Sequence, residues 1–170
     1  MSCLGVLFAI DEEQAAELQR LPRKDRVAYI QEEIEEVYFA ERPDDLAELD
    51  KSWDAMHRLL TDGDLLFSNS REPLTGVILG GEVLYGDFLD EDDYIITYKT
   101  PQRVQQIAAA VMELSEVEFR QRYFALDEAA YGFPVNEEDC QYTWEWFAAS
   151  RPFWQRAAEN GYGVLFTVDQ

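Results

Sequence analysis

Short apolar runs alternate along this chain with stretches in which apolar residues recur every three or four positions. Cys3 to Ile10 is continuous, apolar and short, which predicts a buried strand. Asp11 follows as a helix N-cap, with Glu12 and Glu13 in the first turn, where carboxylates suit the helix dipole. Pro22 ends or follows that helix. From about Lys24 to Ala40, Val27, Ile30, Ile34 and Val37 line one face of a second helix, and Glu32, Glu33, Glu35 and Glu36 give it a wet acidic side. Arg42-Pro43-Asp44-Asp45 breaks it. Leu49, Trp53, Met56 and Leu60 form the stripe of a third helix, which Gly63 stops, and Asp54 and Arg58 are placed to pair on its outer face.

Beyond it, Asp64 to Pro73 reads as an irregular loop, and Val77-Ile78-Leu79 as a short strand or a helical turn before Gly80-Gly81. An acidic loop from Gly86 to Asp93 leads into Tyr94 to Lys99, β-branched and alternating, hence a strand. Thr100-Pro101 starts a helix whose buried face is Val104, Ile107, Ala108, Val111 and Leu114. Ser115 and Glu118 form a capping box for a short helix through Phe124. After a break at Gly132-Phe133-Pro134, Asn136 opens a final helical region, which Pro152 should kink or split. Asn160-Gly161 ends it, and Tyr162 to Val168 is a last strand. The order predicts one α+β domain over residues 1–170, with a small mixed sheet packed against several helices and the terminal strands side by side.

A chain of 170 residues, 47% hydrophobic, suffices for one packed core. Its net charge of −21 opposes nonspecific binding to nucleic acid or to anionic membranes, which need cationic side chains. The same charge steers a basic partner inward, although it also serves plain solubility. Cys3 and Cys140 are far apart and lack metal-ligand spacing, so neither a disulfide framework nor a zinc site is expected. No cofactor is expected either. Gly80-Gly81 matches neither a P-loop nor a dinucleotide fingerprint, and turn chemistry accounts for it more simply. The acidic loop with Asp87, Asp90, Glu91, Asp92 and Asp93 lacks the EF-hand spacing. No run is long enough to span a membrane, and the N-terminal apolar run lacks a basic flank, so it reads as a strand rather than a signal peptide. A reducing cytoplasm fits these features.

The stretch Leu49-Asp50-Lys51-Ser52-Trp53-Asp54-Ala55-Met56-His57-Arg58-Leu59-Leu60-Thr61-Asp62-Gly63 resembles the Leu-x-Lys-x-Trp-x-x-Leu-His-x-Leu-Leu-Thr-Gly pattern of the YfbM-like family, a bacterial domain of unknown function. Met56 stands at the family's leucine, and Asp62 is inserted before Gly63. Pro73-Leu74-Thr75-Gly76-Val77-Ile78-Leu79-Gly80-Gly81-Glu82 is similar to its Pro-Leu-x-x-x-Ile-Leu-Gly-Gly block. Tyr142 to Leu165 resembles its C-terminal helix and strand, with Ser150-Arg151-Pro152 as a departure, and Tyr98 to Val104 resembles a strand-to-helix junction. The resemblance covers most of the chain. It implies a single-domain α+β fold and no established reaction, cofactor or partner.

Lys51, Trp53 and His57 are the densest set of chemistry-bearing residues. A lone histidine beside an aromatic serves as a general base or a ligand anchor. A histidine at the edge of an apolar stripe is more often a core-edge residue bonded to backbone. A Cys140–His57 pair has no local signal, and Ser68 and Ser70 sit in no nucleophile elbow. On the final helix Trp144 and Phe147 point one way while Trp146 and Phe153 point another, which makes the second pair candidates for a binding surface, although a central helix buried on both sides accounts for them more simply. The leading expectation is an acidic cytoplasmic protein without catalysis that binds a basic protein partner, of inhibitor or immunity type. The alternative is a small-molecule site or an enzyme with a pocket near Trp53, His57 and the Pro73 to Glu82 block, Glu82 included.

Overall fold

The computed structural model describes residues 3–67, 72–86 and 94–169. Five strands form one sheet: β1 (Gly5–Ile10), β2 (Leu46–Asp50), β3 (Glu82–Tyr85), β4 (Tyr94–Lys99) and β5 (Gly163–Asp169). Their spatial order is β2-β1-β5-β4-β3, so the terminal strands are neighbours, as expected, with Leu7 opposite Phe166 and Phe8 opposite Leu165. All four junctions are antiparallel, where a mixed sheet was expected. The connections between the consecutive neighbours β1–β2, β3–β4 and β4–β5 start and finish at the same end of the sheet, which fixes this sense.

Both faces of the sheet are covered. Alternate residues Leu7, Ala9, Ile95, Val164 and Phe166 point into one core, shared with α4 (Trp53–Leu60), α5 (Pro101–Glu113) and α8 (Glu137–Glu159). Phe8, Ile10, Ile96, Tyr98 and Leu165 point into the other, under α1 (Glu12–Arg20) and the helical segment from Arg23 to Glu41. Two-sided burial is why β1 reads as a continuous apolar run, and why β4 and β5 are buried on both faces although their sequences include Thr97, Lys99 and Thr167.

Local chemistry matches the expected starts. Asp11 accepts from Gln14 N in a capping box, and Thr100, Ser115 and Asn136 cap α5, α6 (Glu116–Phe124) and α8. A short helix, α7 (Glu128–Tyr131), precedes the Gly132 break. The helix expected from Lys24 to Ala40 is continuous but not uniform: α2 (Arg23–Tyr29) and α3 (Glu36–Glu41) flank a π-helical turn at Ile30–Glu35. Val77 to Leu79 forms buried turns after a 3-10 turn at Pro73–Gly76.

Two expectations change. Leu49 belongs to β2, not to the stripe of α4, which begins at Trp53. Pro152 does not split the last helix, which runs unbroken for 23 residues. Its ring removes one hydrogen-bond donor, yet Phe147, Phe153 and Trp154 are buried around it and hold the helix against the core. The acidic loop from Asp87 to Asp93, Ser68 and Ser70 lie outside the described residues. Among the described residues no helix is long and apolar enough to cross a membrane.

Candidate functional site

His57 and Trp53 are packed rather than presented. His57 is 1% exposed, and its Nε2 lies 2.8 Å from the Leu66 carbonyl, so Nε2 carries the proton. Burial pulls its pKa down to about 4, which keeps the ring neutral, and Nδ1 has no partner among the described residues. Trp53 donates from Nε1 to the Cys3 carbonyl at 2.9 Å and packs 5.8 Å from the Phe166 ring. Glu82 stands at the start of β3, where it accepts from Gln19 Nε2 at 2.9 Å. Cys140 is fully buried. A recess does form beside the Pro73 block, between Thr61, Thr75, Glu113 and Arg122, but Trp53, His57 and Glu82 do not line it. The expected grouping of Trp53, His57 and Glu82 is therefore not assembled around one opening.

Lys51, Trp146 and Phe153 meet a different surface, where edge strand β2 faces α8. A first recess of about 460 Å³ opens between Lys51, Asp54, Tyr131, Phe133, Glu138, Asp139 and Tyr142. Its floor is tied together by hydrogen bonds. Tyr123 and Tyr131 both donate to Asp139 Oδ2, at 2.6 and 3.0 Å. Arg58 donates from Nε to Asp54 Oδ1 at 2.6 Å and lies 5.9 Å from the Tyr131 ring centre. Burial, and then the Asp139 carboxylate, push the Tyr123 and Tyr131 hydroxyls well above the usual tyrosine range. Burial raises the Asp54 pKa, with Arg58 opposing it.

Asp50 turns the chain at the mouth of this recess. Its φ of +50° is left-handed, a conformation that aspartate tolerates, and its Oδ1 accepts from Lys51 N at 2.7 Å. The same Lys51 N lies 3.2 Å from the Tyr142 hydroxyl. One helical turn on, the Trp146 ring stacks edge-on to Tyr142 at 6.4 Å.

Trp146 then joins two further recesses, which share Phe39 and Glu48. The second, about 240 Å³, lies under the π-helical turn and includes Glu35, Asp50, Tyr94 and Asp169. Glu35 accepts from the Tyr94 hydroxyl at 2.5 Å. The third, about 770 Å³, includes Asp44, Pro152, Phe153, Arg156 and Glu159. Six carboxylates thus line these two recesses, and Arg156, their one lining cation among the described residues, is held by Asp45 at 3.0 Å. Trp146 is half-buried and Phe153 is 5% exposed, so Trp146 contributes ring surface while Phe153 supplies floor. No three His, Cys, Asp or Glu side chains among the described residues converge as metal ligands.

Asp139, Tyr131 and Lys99 were not singled out from the sequence. Asp139 reads there as ordinary first-turn charge on α8, and only the fold brings the two tyrosines onto it. Replacing Asp139 by alanine strands both hydroxyls and is expected to cost about 2–4 kcal/mol, with asparagine, which keeps an acceptor, costing less. Urea denaturation midpoints check both values.

The comparisons with known proteins fall in line with this architecture. Residues 1–167 match the profile of a family described as a domain of unknown function, DUF1877. The chain belongs to the DUF1877 family. YfbM from Escherichia coli, solved as a protein of unknown function, is similar in structure at a TM-score of 0.65 and 20% identity, over 97% of this chain and 99% of that one. A search of curated proteins finds no match. The neighbour supports the α+β fold, the family rests on the profile match, and neither speaks of an activity.

Proposed function

We propose that this DUF1877-family chain is an acidic cytoplasmic binding protein, without catalysis, whose β2–α8 face docks a basic segment of a protein partner. One observation carries the reading: the Phe39 and Trp146 rings, with Phe153 as floor, are rimmed by Glu35, Asp44, Glu48, Asp50, Glu159 and Asp169. Apolar area supplies affinity and the rim supplies complementarity to a basic segment. The net charge of −21 adds long-range attraction to the same class of partner. A reducing compartment agrees with two free cysteines. An inhibitor or immunity role lies within this class.

Capture at low salt from native lysate, followed by a salt gradient, tests it. The wild type is expected to release a basic protein at moderate salt, and Glu48→Lys and Trp146→Ala are expected to lose it. Glu48 is exposed on an edge strand, so its replacement leaves the fold intact. Equal capture by the variants, or release that ignores salt, contradicts the proposal. A second reading, a small organic ligand, draws on the first recess, whose volume of about 460 Å³ falls in the range of ligand sites.

A further inference from the structure

We infer that the first recess is a socket for an arginine side chain of the partner. This rests on the reading of the β2–α8 face as a docking surface and names the group that anchors it. The recess adjoins that face through the Tyr142–Trp146 ring contact and the consecutive residues Asp50 and Lys51. Its walls are mainly apolar and aromatic, from Tyr131, Phe133, Pro134 and Tyr142. Phe133 is 60% exposed, an aromatic ring held at the mouth by the Gly132 turn rather than buried in a core.

The polar groups there select a cation. Glu138 lies exposed at the rim with no ion-pair partner among the described residues. Asp139 spends Oδ2 on two tyrosine hydroxyls, and no donor among the described residues takes Oδ1. A planar guanidinium stacks on rings and bonds carboxylates through several N–H groups, which an ammonium does less well. The chain already uses this arrangement in the same wall, where Arg58 bonds Asp54 and lies over Tyr131. Lys51 is the one cation on the lining among the described residues, exposed at the edge. It opposes an incoming cation, so its removal favours binding, whereas an anionic ligand would lose its only attractive charge.

The probes are N-acetyl-arginine methylamide, its neutral citrulline counterpart and the lysine analogue, titrated into the full chain and followed by NMR at Phe133, Tyr142 and the α8 amides. The arginine probe is expected to bind saturably and at least several-fold more tightly than the lysine probe, with no saturation by the citrulline probe. Lys51→Met is expected to tighten binding about 3-fold, and Glu138→Gln to weaken it about 5-fold, as exposed charges in partial solvent do. Absence of saturation, equal binding of the citrulline probe, or weaker binding after Lys51→Met overturns the socket. Both substitutions are at exposed positions, and an unchanged spectrum away from the recess shows that the fold survives. A partner captured in a Trp146-dependent way while the arginine probe fails overturns the socket alone. Probe binding without any captured basic protein overturns the docking reading instead.

Discussion

Gly81→Ala is expected to cost about 3–5 kcal/mol, a large fraction of the roughly 5–15 kcal/mol by which a domain is ordinarily stable. Two penalties coincide there. Gly81 has φ of +112°, outside the range that an L side chain accepts, and a Cβ would stand 2.3 Å from the Tyr98 carbonyl oxygen. That oxygen cannot step aside, because Tyr98 belongs to β4 and pairs with both Glu82 and Leu165. Gly63 provides the control. Its φ is +97°, but no atom of the described residues lies within 4 Å of its added Cβ, so alanine there carries backbone strain alone, about 1 kcal/mol. Thermal unfolding of the two variants separates contact from strain, and equal losses would refute the contact. The Gly80-Gly81 pair, which the sequence assigns to turn chemistry rather than to a phosphate cradle, thus serves a close backbone approach beside β3.

Lys99→Met is expected to stabilise the protein at neutral pH, by about 1–3 kcal/mol. Lys99 is 1% exposed within β4. Its Nζ donates to the Ile78 carbonyl and to Thr97 Oγ1, the latter at 2.5 Å, and Thr97 Oγ1 itself donates to Ile78 O at 2.9 Å. Methionine keeps the stem and removes the amine, while Thr97 still satisfies the carbonyl. Burial lowers the Lys99 pKa well below its ordinary value. Between the folded and unfolded values the unfolded chain therefore binds more protons, and stability rises with pH, by at most about 1.4 kcal/mol per unit. That gain is complete above the unfolded lysine value. The tyrosines act oppositely at the upper end: burial holds Tyr38 near 12, and Tyr94, Tyr123 and Tyr131 are also raised, so unfolding releases their protons first above about pH 10. The wild type should gain stability from neutral pH to about 9.5, and Lys99→Met should lose that part of the slope. Urea titrations across this window decide it, and parallel curves for the two proteins would show that Lys99 keeps its ordinary charge.

Cap residues and apolar faces made much of this fold legible. Asp11, Thr100, Ser115 and Asn136 mark helix starts through local hydrogen bonds that need no tertiary context. Strand β2 was hidden because only Leu49 is fully buried in its five residues, and its four-residue spacing to Trp53 imitates a helix. The continuity through Pro152 was hidden because burial of Phe147, Phe153 and Trp154 outweighs a missing hydrogen bond, and that packing is set by distant elements.

The site divides the same way. Lys51 and Trp146 do reach open recesses, whereas His57 closes onto Leu66 O and Trp53 onto Cys3 O. Composition suggests a basic partner through charge alone. The face that concentrates this charge exists only because sheet order places β2 at the edge beside α8. Glu35 and Glu48 are far apart in the chain, and the π-helical turn that aims Glu35 toward Tyr94 leaves no periodic signature.

Hydroxyl-radical footprinting of the protein with its captured basic partner tests the docking face most directly. Protection is expected at Phe39, Trp146 and Phe133, while Met112 and Val117, exposed on α5 and α6, stay as reactive as in the free protein. Protection confined to Met112 and Val117, with Trp146 unchanged, would contradict the assignment of the β2–α8 face.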